Sequence, residues 1–196
     1  MIVRNGAEFI KPVIEAVMPY VKRIKVGIDG RCTDGTMQIL SDMGVEWTWF
    51  AINSPKKDLV DLRNLLLEKV QEKYILVLDS DELHPDCSFF SEVKDADVYT
   101  LQCHAPWTKT MGHKASARAK IPRIFKNDGR RWTGHFGREQ LHKPRDVVVD
   151  IPYRYIHLTH LKKDNWREEM NQRRVADGKS LYKLPDSVIK ELNKII

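Results

Sequence analysis

The chain has 196 residues, of which 42% are hydrophobic and 31% charged, and this composition is typical of a soluble globular domain. No apolar run approaches the ~20 residues of a membrane-spanning helix, and Met1–Asn5 does not begin a signal peptide, so we expect a cytoplasmic protein. Three cysteines without a C-x-x-C pair indicate neither a disulfide framework nor a zinc site. We expect residues 1–196 to form one domain.

The net charge of +6 is unevenly distributed along the chain. Residues 1–104 carry 12 Lys or Arg against 17 Asp or Glu, residues 105–145 carry 11 against 2, and residues 146–196 carry 10 against 8. A basic stretch that follows an acidic half favours an anionic or phosphate-bearing partner. Nucleic acid remains open as such a partner, with Trp107 and Trp132 as stacking surfaces.

The first part of the chain alternates between strand and helix patterns. Apolar runs predict strands at Met1–Val3, Ile24–Ile28, Val45–Ile52 and Tyr74–Leu78. Helical spacing of apolar residues predicts helices at Ala7–Tyr20, around Met37–Met43, and from the Ser54-Pro55 start through Leu59, Leu62, Leu66 and Val70. This order predicts an α/β fold in which a parallel sheet is joined by right-handed crossovers.

After residue 82 the alternation stops. Four strands are predicted, with a loop at Trp107–Lys120 and two helices near the end of the chain. The strands are Val98–Cys103, Ile121–Phe125, Val147–Ile151 and Tyr153–Leu158, and the helices are Asp164–Ala176 and Asp186–Ile196. Pro144 and Pro152 are expected to bracket the third strand.

Three carboxylates follow the Tyr74–Leu78 strand directly, at Asp79, Asp81 and Glu82. In open α/β sheets ligands lie outside the carboxyl ends of the strands. On an extended strand end Asp79 and Asp81 would face the same side, where Mg²⁺ or Mn²⁺ could join them to phosphate oxygens. An isolated D-x-D also fits a solvated turn, so the surrounding sequence has to decide.

Four segments in order resemble the inverting glycosyltransferases of family two, which have the A-type nucleotide-sugar fold. They are Met1–Asn5, Val26–Thr36 with its D-x-x-x-x-D-G-T turn, Leu62-Arg63-Asn64, and Leu78–Glu82. The resemblance implies a Rossmann-like nucleotide-diphospho-sugar transferase fold, with a mostly parallel central sheet flanked by helices. Residues 1–104 would bind the nucleotide sugar, and residues 105–196 would form the acceptor side.

The resemblance also implies roles for individual residues. Asp29 would accept a hydrogen bond from the base, Asp79 would hold the ribose or a metal-bound water, and Asp81 would bind Mn²⁺ or Mg²⁺ on the diphosphate. Arg63 would pair with a phosphate or brace the acids. The donor would be a nucleotide sugar, with a UDP-sugar as one candidate. Thr33–Thr36 is interpreted as a turn and helix N-cap.

Two later segments resemble the part of this family that carries out the chemistry. Pro122–Lys126 and Arg131–His135 resemble P-R-L-F-R and W-x-G stretches that precede a carboxylate, and the nearest one here is Glu139, the candidate catalytic base. Tyr155–His160 resembles a strand whose histidine completes the metal shell. His157 matches that position, and His160 is the alternative.

Two other functions are compatible with these patterns. A nucleotidyltransferase would need a Gly-rich phosphate loop after the first strand, and Asn5–Glu8 does not supply one. A non-catalytic module that binds nucleotide sugars or nucleic acid would use the same fold without requiring Asp81. Metal-dependent transfer of a sugar from a nucleotide-sugar donor is the leading hypothesis.

Overall fold

The computed structural model describes residues 1–51, 59–104, 119–134, 140–141 and 143–158. Their helices and strands form two sheets with helices packed against them, which confirms the predicted α/β fold class. The strands are β1 (Ile2–Val3), β2 (Lys25–Asp29), β3 (Glu46–Phe50), β4 (Tyr74–Leu76), β5 (Glu82–Leu83), β6 (Val98–His104), β7 (Ala119–Lys126) and β8 (Val148–His157). The helices are α1 (Ile10–Val17), α2 (Thr36–Asp42) and α3 (Leu59–Leu67), with 3₁₀ turns at Met18–Tyr20 and Ser88–Glu92.

The first sheet has the order β1-β2-β3 and is parallel throughout. Each crossover contains a helix, as the alternating sequence pattern predicts. Gly27 sits at its centre, where an added Cβ would lie 2.5 Å from side-chain atoms of Ile2 and Phe50. Glycine at this position therefore allows the side chains of the two neighbouring strands to meet over β2.

The second sheet has the order β4-β7-β6-β8-β5, and its one parallel pair is β6 with β8. The sequence analysis placed the Tyr74 strand in one parallel series with the earlier strands. In the described residues, however, the ladder of β4 runs antiparallel to β7. Residues 74–77 are half-buried rather than buried on both faces, because they border an apolar crevice of about 320 Å³ between the two sheets.

The prediction of two strands separated at Pro152 is wrong, because the segment forms one strand, β8. It runs without interruption from Val148 to His157. Its pairing with β6 shifts between Thr100 and Gln102, opposite the segment that contains Pro152. The β6–β7 pairing likewise shifts beside Thr100, where the register places Pro122. Proline lacks a ladder donor, and a bulge accommodates it without ending the strand.

Helix α1 joins the two sheets because apolar residues lie on two of its sides. Ile10 and Ile14 pack with Val26, Ile28 and other residues of the first sheet. Its remaining apolar residues pack with the second sheet, in a cluster that includes Phe9, Val13, Val17, Leu78, Phe89, Tyr99, Leu101 and Tyr155. The shared helix therefore fixes the end of β2 relative to the acids that follow β4.

Several predicted features lie outside the described residues. They are the Ser54-Pro55 helix start, most of the Trp107–Lys120 loop, and both C-terminal helices. Ala119 and Lys120, predicted as the end of that loop, belong to β7 instead. Among the residues that the structure describes, no helix is both long enough and apolar enough to cross a membrane.

Candidate functional site

Three turns, after β1, β2 and β4, meet at one edge of the fold. The Asp34 carboxylate accepts a hydrogen bond from the Ala7 N–H at 2.9 Å, and the Thr36 hydroxyl accepts one from the Gly6 N–H at 2.8 Å. A Cβ added to Gly6 would lie 3.2 Å from the Ser80 Cβ, so the first turn also packs against the third. The predicted turn is confirmed, since Asp34 Oδ1 accepts from the Thr36 N–H at 3.0 Å, and it also holds the first turn. The N-cap residue of α2 is Gly35, which has no side chain to cap the helix, so the predicted side-chain cap is absent there.

Asp29 lies at the C-terminal end of β2 and is only 6% exposed. Its carboxylate accepts three hydrogen bonds from Arg31, from the backbone N–H at 3.0 Å, from Nε at 3.0 Å and from Nη2 at 2.6 Å. Burial alone raises the pKa of Asp29, but the hydrogen bonds and charge of Arg31 outweigh it and the pKa is lowered. Asp29 is therefore ionised.

The segment Asp79–Glu82 is a turn, and this changes the expected arrangement of its acids. The Glu82 N–H donates to the Asp79 carbonyl at 3.1 Å, and residues 77–79 already lie beyond the end of β4. The alternation of an extended strand, on which a shared face for Asp79 and Asp81 was predicted, does not apply within a turn. Asp79 is partly exposed, whereas Asp81 is buried.

Two guanidinium groups hold Asp79 from different elements. Arg63 on α3 reaches one carboxylate oxygen at 3.1 Å, and Arg123 on β7 lies 3.7 Å from the other. Arg123 also forms a short ion pair with Glu82, whose side chain is fully buried. Burial raises the pKa of Glu82 to about 8, Arg123 opposes this rise, and Asp79 adds to it. The bracing role suggested for Arg63 is observed, and Arg123 shares it.

The structure brings Asp81 and His157, the two predicted metal ligands, onto neighbouring segments. His157 pairs with Glu82 in the β5–β8 ladder, and the Leu158 N–H donates to the Asp81 carbonyl at 2.6 Å. His157 is half-buried. Within the described part of the chain, no three His, Cys, Asp or Glu side chains are placed to hold a metal ion together.

Helix α3 connects these acids to the Trp132 segment. The Asn64 amide donates to the Trp132 carbonyl at 3.1 Å and accepts from the Trp132 N–H at 2.8 Å. The Arg63 guanidinium lies 4.5 Å from the Trp132 ring centroid, within the range of a cation–π contact. These contacts hold the Trp132 segment against the N-terminal half of the site through α3.

The candidate base, Glu139, lies outside the described residues, as does His160. Thr133 and Gln140, which are described, form a two-bond antiparallel bridge with N···O distances of 2.8 and 2.9 Å. Because Thr133 follows Trp132, this bridge is tied through Asn64 to the helix that holds Asp79.

The sequence analysis assigned no role to Arg123 or His84. His84 is 1% exposed and stacks on Tyr155 and Tyr153 with centroid distances of 5.3 and 5.9 Å. Burial, assisted by the nearby charge of Arg123, lowers the pKa of His84 to about 3, so its ring is neutral. Arg123 falls within the family-like Pro122–Lys126 stretch, which could have indicated it, whereas nothing in the sequence pattern indicates His84.

The basic segment 105–145 is largely neutralised where the structure describes it. Of its seven described cations, six pair with acids: Lys120 with Asp150, Arg123 with Glu82, Lys126 with Asp97, Arg130 with Asp128 and Asp146, Arg131 with Glu68, and Lys143 with Asp128. Arg123 and Arg130 are also buried at the side chain. This pairing disfavours the described part of the segment as a nucleic-acid surface.

Comparison with solved structures identifies the fold. The S. aureus TarS 1-349 structure superposes with a TM-score of 0.56 at 12% sequence identity, over 89% of this chain and 63% of that chain. The same protein in complex with UDP-GlcNAc gives a TM-score of 0.51 at 14% identity, over 89% and 64%. TarS is a family-two glycosyltransferase. This chain has the family-two glycosyltransferase fold.

The resemblance to family-two glycosyltransferases is thus confirmed at the level of the fold. The chain spans less than two thirds of the length of these TarS structures. No model of a protein family matches the sequence, and the comparison with curated proteins gives no significant match. Asp29 ends β2 and Asp79 follows β4, and ligands of open α/β sheets usually lie beyond the carboxyl ends of the strands.

Proposed function

We propose that this chain binds a nucleotide sugar at the edge where the turns after β1, β2 and β4 meet. It would transfer the sugar to an acceptor with the help of a divalent metal. The observation that carries the proposal is that the turns bearing Asp29, the braced Asp79 and Asp81 meet at that edge, with His157 on the segment beside Asp81. It is supported by a fold also found in a protein crystallised with UDP-GlcNAc.

Each residue has a role that its surroundings permit. Asp29 is a buried, ionised acceptor for a donor group on the base. Asp79 is partly exposed and fixed by Arg63, so its carboxylate can accept a ribose hydroxyl without losing its orientation. An acceptor with phosphate groups remains a prediction, because Lys109, Lys114 and Arg118 of the basic segment lie outside the described residues.

Asp81 and His157 fit a divalent ion, because a carboxylate oxygen and an imidazole nitrogen suit Mn²⁺, and diphosphate oxygens would complete the shell. When bound, the metal would stabilise the negative charge on the departing nucleoside diphosphate. In an inverting transfer the acceptor oxygen attacks the anomeric carbon, the bond from that carbon to the diphosphate breaks, and the acceptor proton passes to a base. We propose Glu139 as that base.

A screen of nucleotide sugars for release of nucleoside diphosphate tests this function. We expect one donor to be hydrolysed slowly, or to transfer its sugar when an acceptor is present. We expect release to require Mn²⁺ or Mg²⁺ and to stop with EDTA. If no nucleotide sugar is turned over or changes the melting temperature, while polynucleotide binds tightly, the transferase proposal is wrong and the binding-module alternative replaces it.

A further inference from the structure

Arg31 occupies most of the hydrogen-bonding capacity of Asp29. A carboxylate offers about four lone-pair positions for hydrogen bonds. The backbone N–H and Nε of Arg31 both donate to Oδ1, and Nη2 donates to Oδ2. Among the residues that the structure describes, these bonds saturate Oδ1 and leave one acceptor position on Oδ2. Only 8% of the Asp29 side chain is exposed, so little of it is accessible to a ligand.

Nucleobases differ in the number of donors that they present to a carboxylate. Uracil and thymine present a single imide N–H, between two carbonyl groups. Guanine presents a ring N–H beside an amino group, and this pair is best matched by two free carboxylate oxygens. A carboxylate with one remaining position can satisfy the imide, but it leaves one guanine donor unpaired at a buried site.

We propose that Arg31 is a specificity-determining residue. Its two guanidinium hydrogen bonds to Asp29 select a nucleotide with an imide base, as in UDP, over one with guanine, as in GDP. This inference rests on the proposed function, because it assigns the base to Asp29. The proposal concerns this chain in particular, since the two guanidinium hydrogen bonds require an arginine two residues after Asp29. A lysine there could supply the charge but not the planar pair of donors.

The hydrogen bond from the backbone N–H of Arg31 to Asp29 does not depend on the Arg31 side chain. In Arg31→Ala the backbone N–H would still donate to Oδ1, but the Nε and Nη2 bonds would be lost. One acceptor position on Oδ1 and two on Oδ2 would then be open to a ligand. Loss of the Arg31 charge near the bound nucleotide would weaken UDP and GDP binding alike, because both carry the same diphosphate. The ratio of their dissociation constants therefore isolates the effect on the base.

Calorimetric titration of the full chain with UDP and with GDP, at one Mn²⁺ concentration, tests the inference. We expect the wild type to bind UDP more tightly than GDP. We expect Arg31→Ala to reduce the Kd ratio of GDP to UDP about tenfold, the effect of one charge-assisted hydrogen bond. Arg31→Lys should also reduce this Kd ratio, because the two guanidinium hydrogen bonds are lost although the charge remains.

Arg23→Ala is the matched control. Arg23 has the same side-chain exposure as Arg31, 48%, and pairs with Glu72 at 3.0 Å before the N-terminal end of β2, away from Asp29. Its Kd ratio should equal that of the wild type. If Arg31→Ala leaves the ratio unchanged, or the wild type prefers GDP, the selection mechanism is wrong while the proposed function stands. If the wild type binds neither nucleotide, both are wrong.

Discussion

Replacing Asp81 with asparagine is expected to reduce metal-dependent turnover of the donor by about 10²–10³-fold, the scale reported for losing one electrostatic contact to developing charge. The substitution keeps the shape of the side chain and leaves the backbone carbonyl that accepts from Leu158 in place. The fold should therefore persist while the carboxylate that we propose as a metal ligand is lost. Initial rates across a range of Mn²⁺ concentrations would measure the effect.

Asp95→Asn provides a control that changes the same chemical group. Asp95 is 96% exposed at the side chain and lies 3.9 Å from Lys73, so its replacement should leave both rate and metal dependence unchanged. The assignment of Asp81 fails if Asp81→Asn retains wild-type turnover and the same Mn²⁺ requirement. Circular dichroism of both variants would show that a loss of rate is not a loss of fold.

The second large effect is expected for stability, from Arg123→Met. This substitution leaves Glu82, 0% exposed, without its cation. Removing one partner of a buried ion pair costs up to about 3 to 5 kcal/mol. Burial already raises the pKa of Glu82 to about 8, and loss of Arg123 raises it further, so the cost includes the protonation of the carboxyl that is left without its cation. Urea unfolding of wild type and variant, with the free energy extrapolated to water, would measure the difference.

A double variant separates the loss of charge pairing from the loss of packing. Arg123→Met combined with Glu82→Gln removes both charges and should recover a large part of the lost free energy of unfolding. Arg131→Met serves as the control, because Arg131 and Glu68 are each 53% exposed and such pairs contribute about 0 to 1 kcal/mol. A double variant no more stable than Arg123→Met alone would contradict the pairing explanation.

The parallel half of the fold could be predicted from the sequence because its signals are local. Helix α1 has apolar residues at helical spacing, and β2 is an apolar run that ends at Asp29. The resemblance added the ordered set of turns, which no single motif could have established. The bracing of Asp79 by Arg63 was one of two roles predicted for that arginine, and the structure shows it.

The rest of the fold and of the candidate site depends on contacts between distant parts of the chain. Arg123 is 41 residues from Glu82, and Asn64 is 68 residues from Trp132, so neither pair appears in local periodicity. Pro152 predicted a break in β8, but a bulge in the neighbouring strand pairing accommodates it. Asp79 and Asp81 were placed on one face of an extended strand, although the chain turns at that point.

A crystal structure of the chain with UDP and Mn²⁺ would test the proposed donor site most directly. We predict that the uracil imide lies within hydrogen-bonding distance of Asp29, with the ribose beside Asp79. The diphosphate should share a metal ion with Asp81 and His157. A nucleotide bound elsewhere, with Asp29 and Asp81 both uncontacted, would contradict the assignment of this edge as the nucleotide-sugar site.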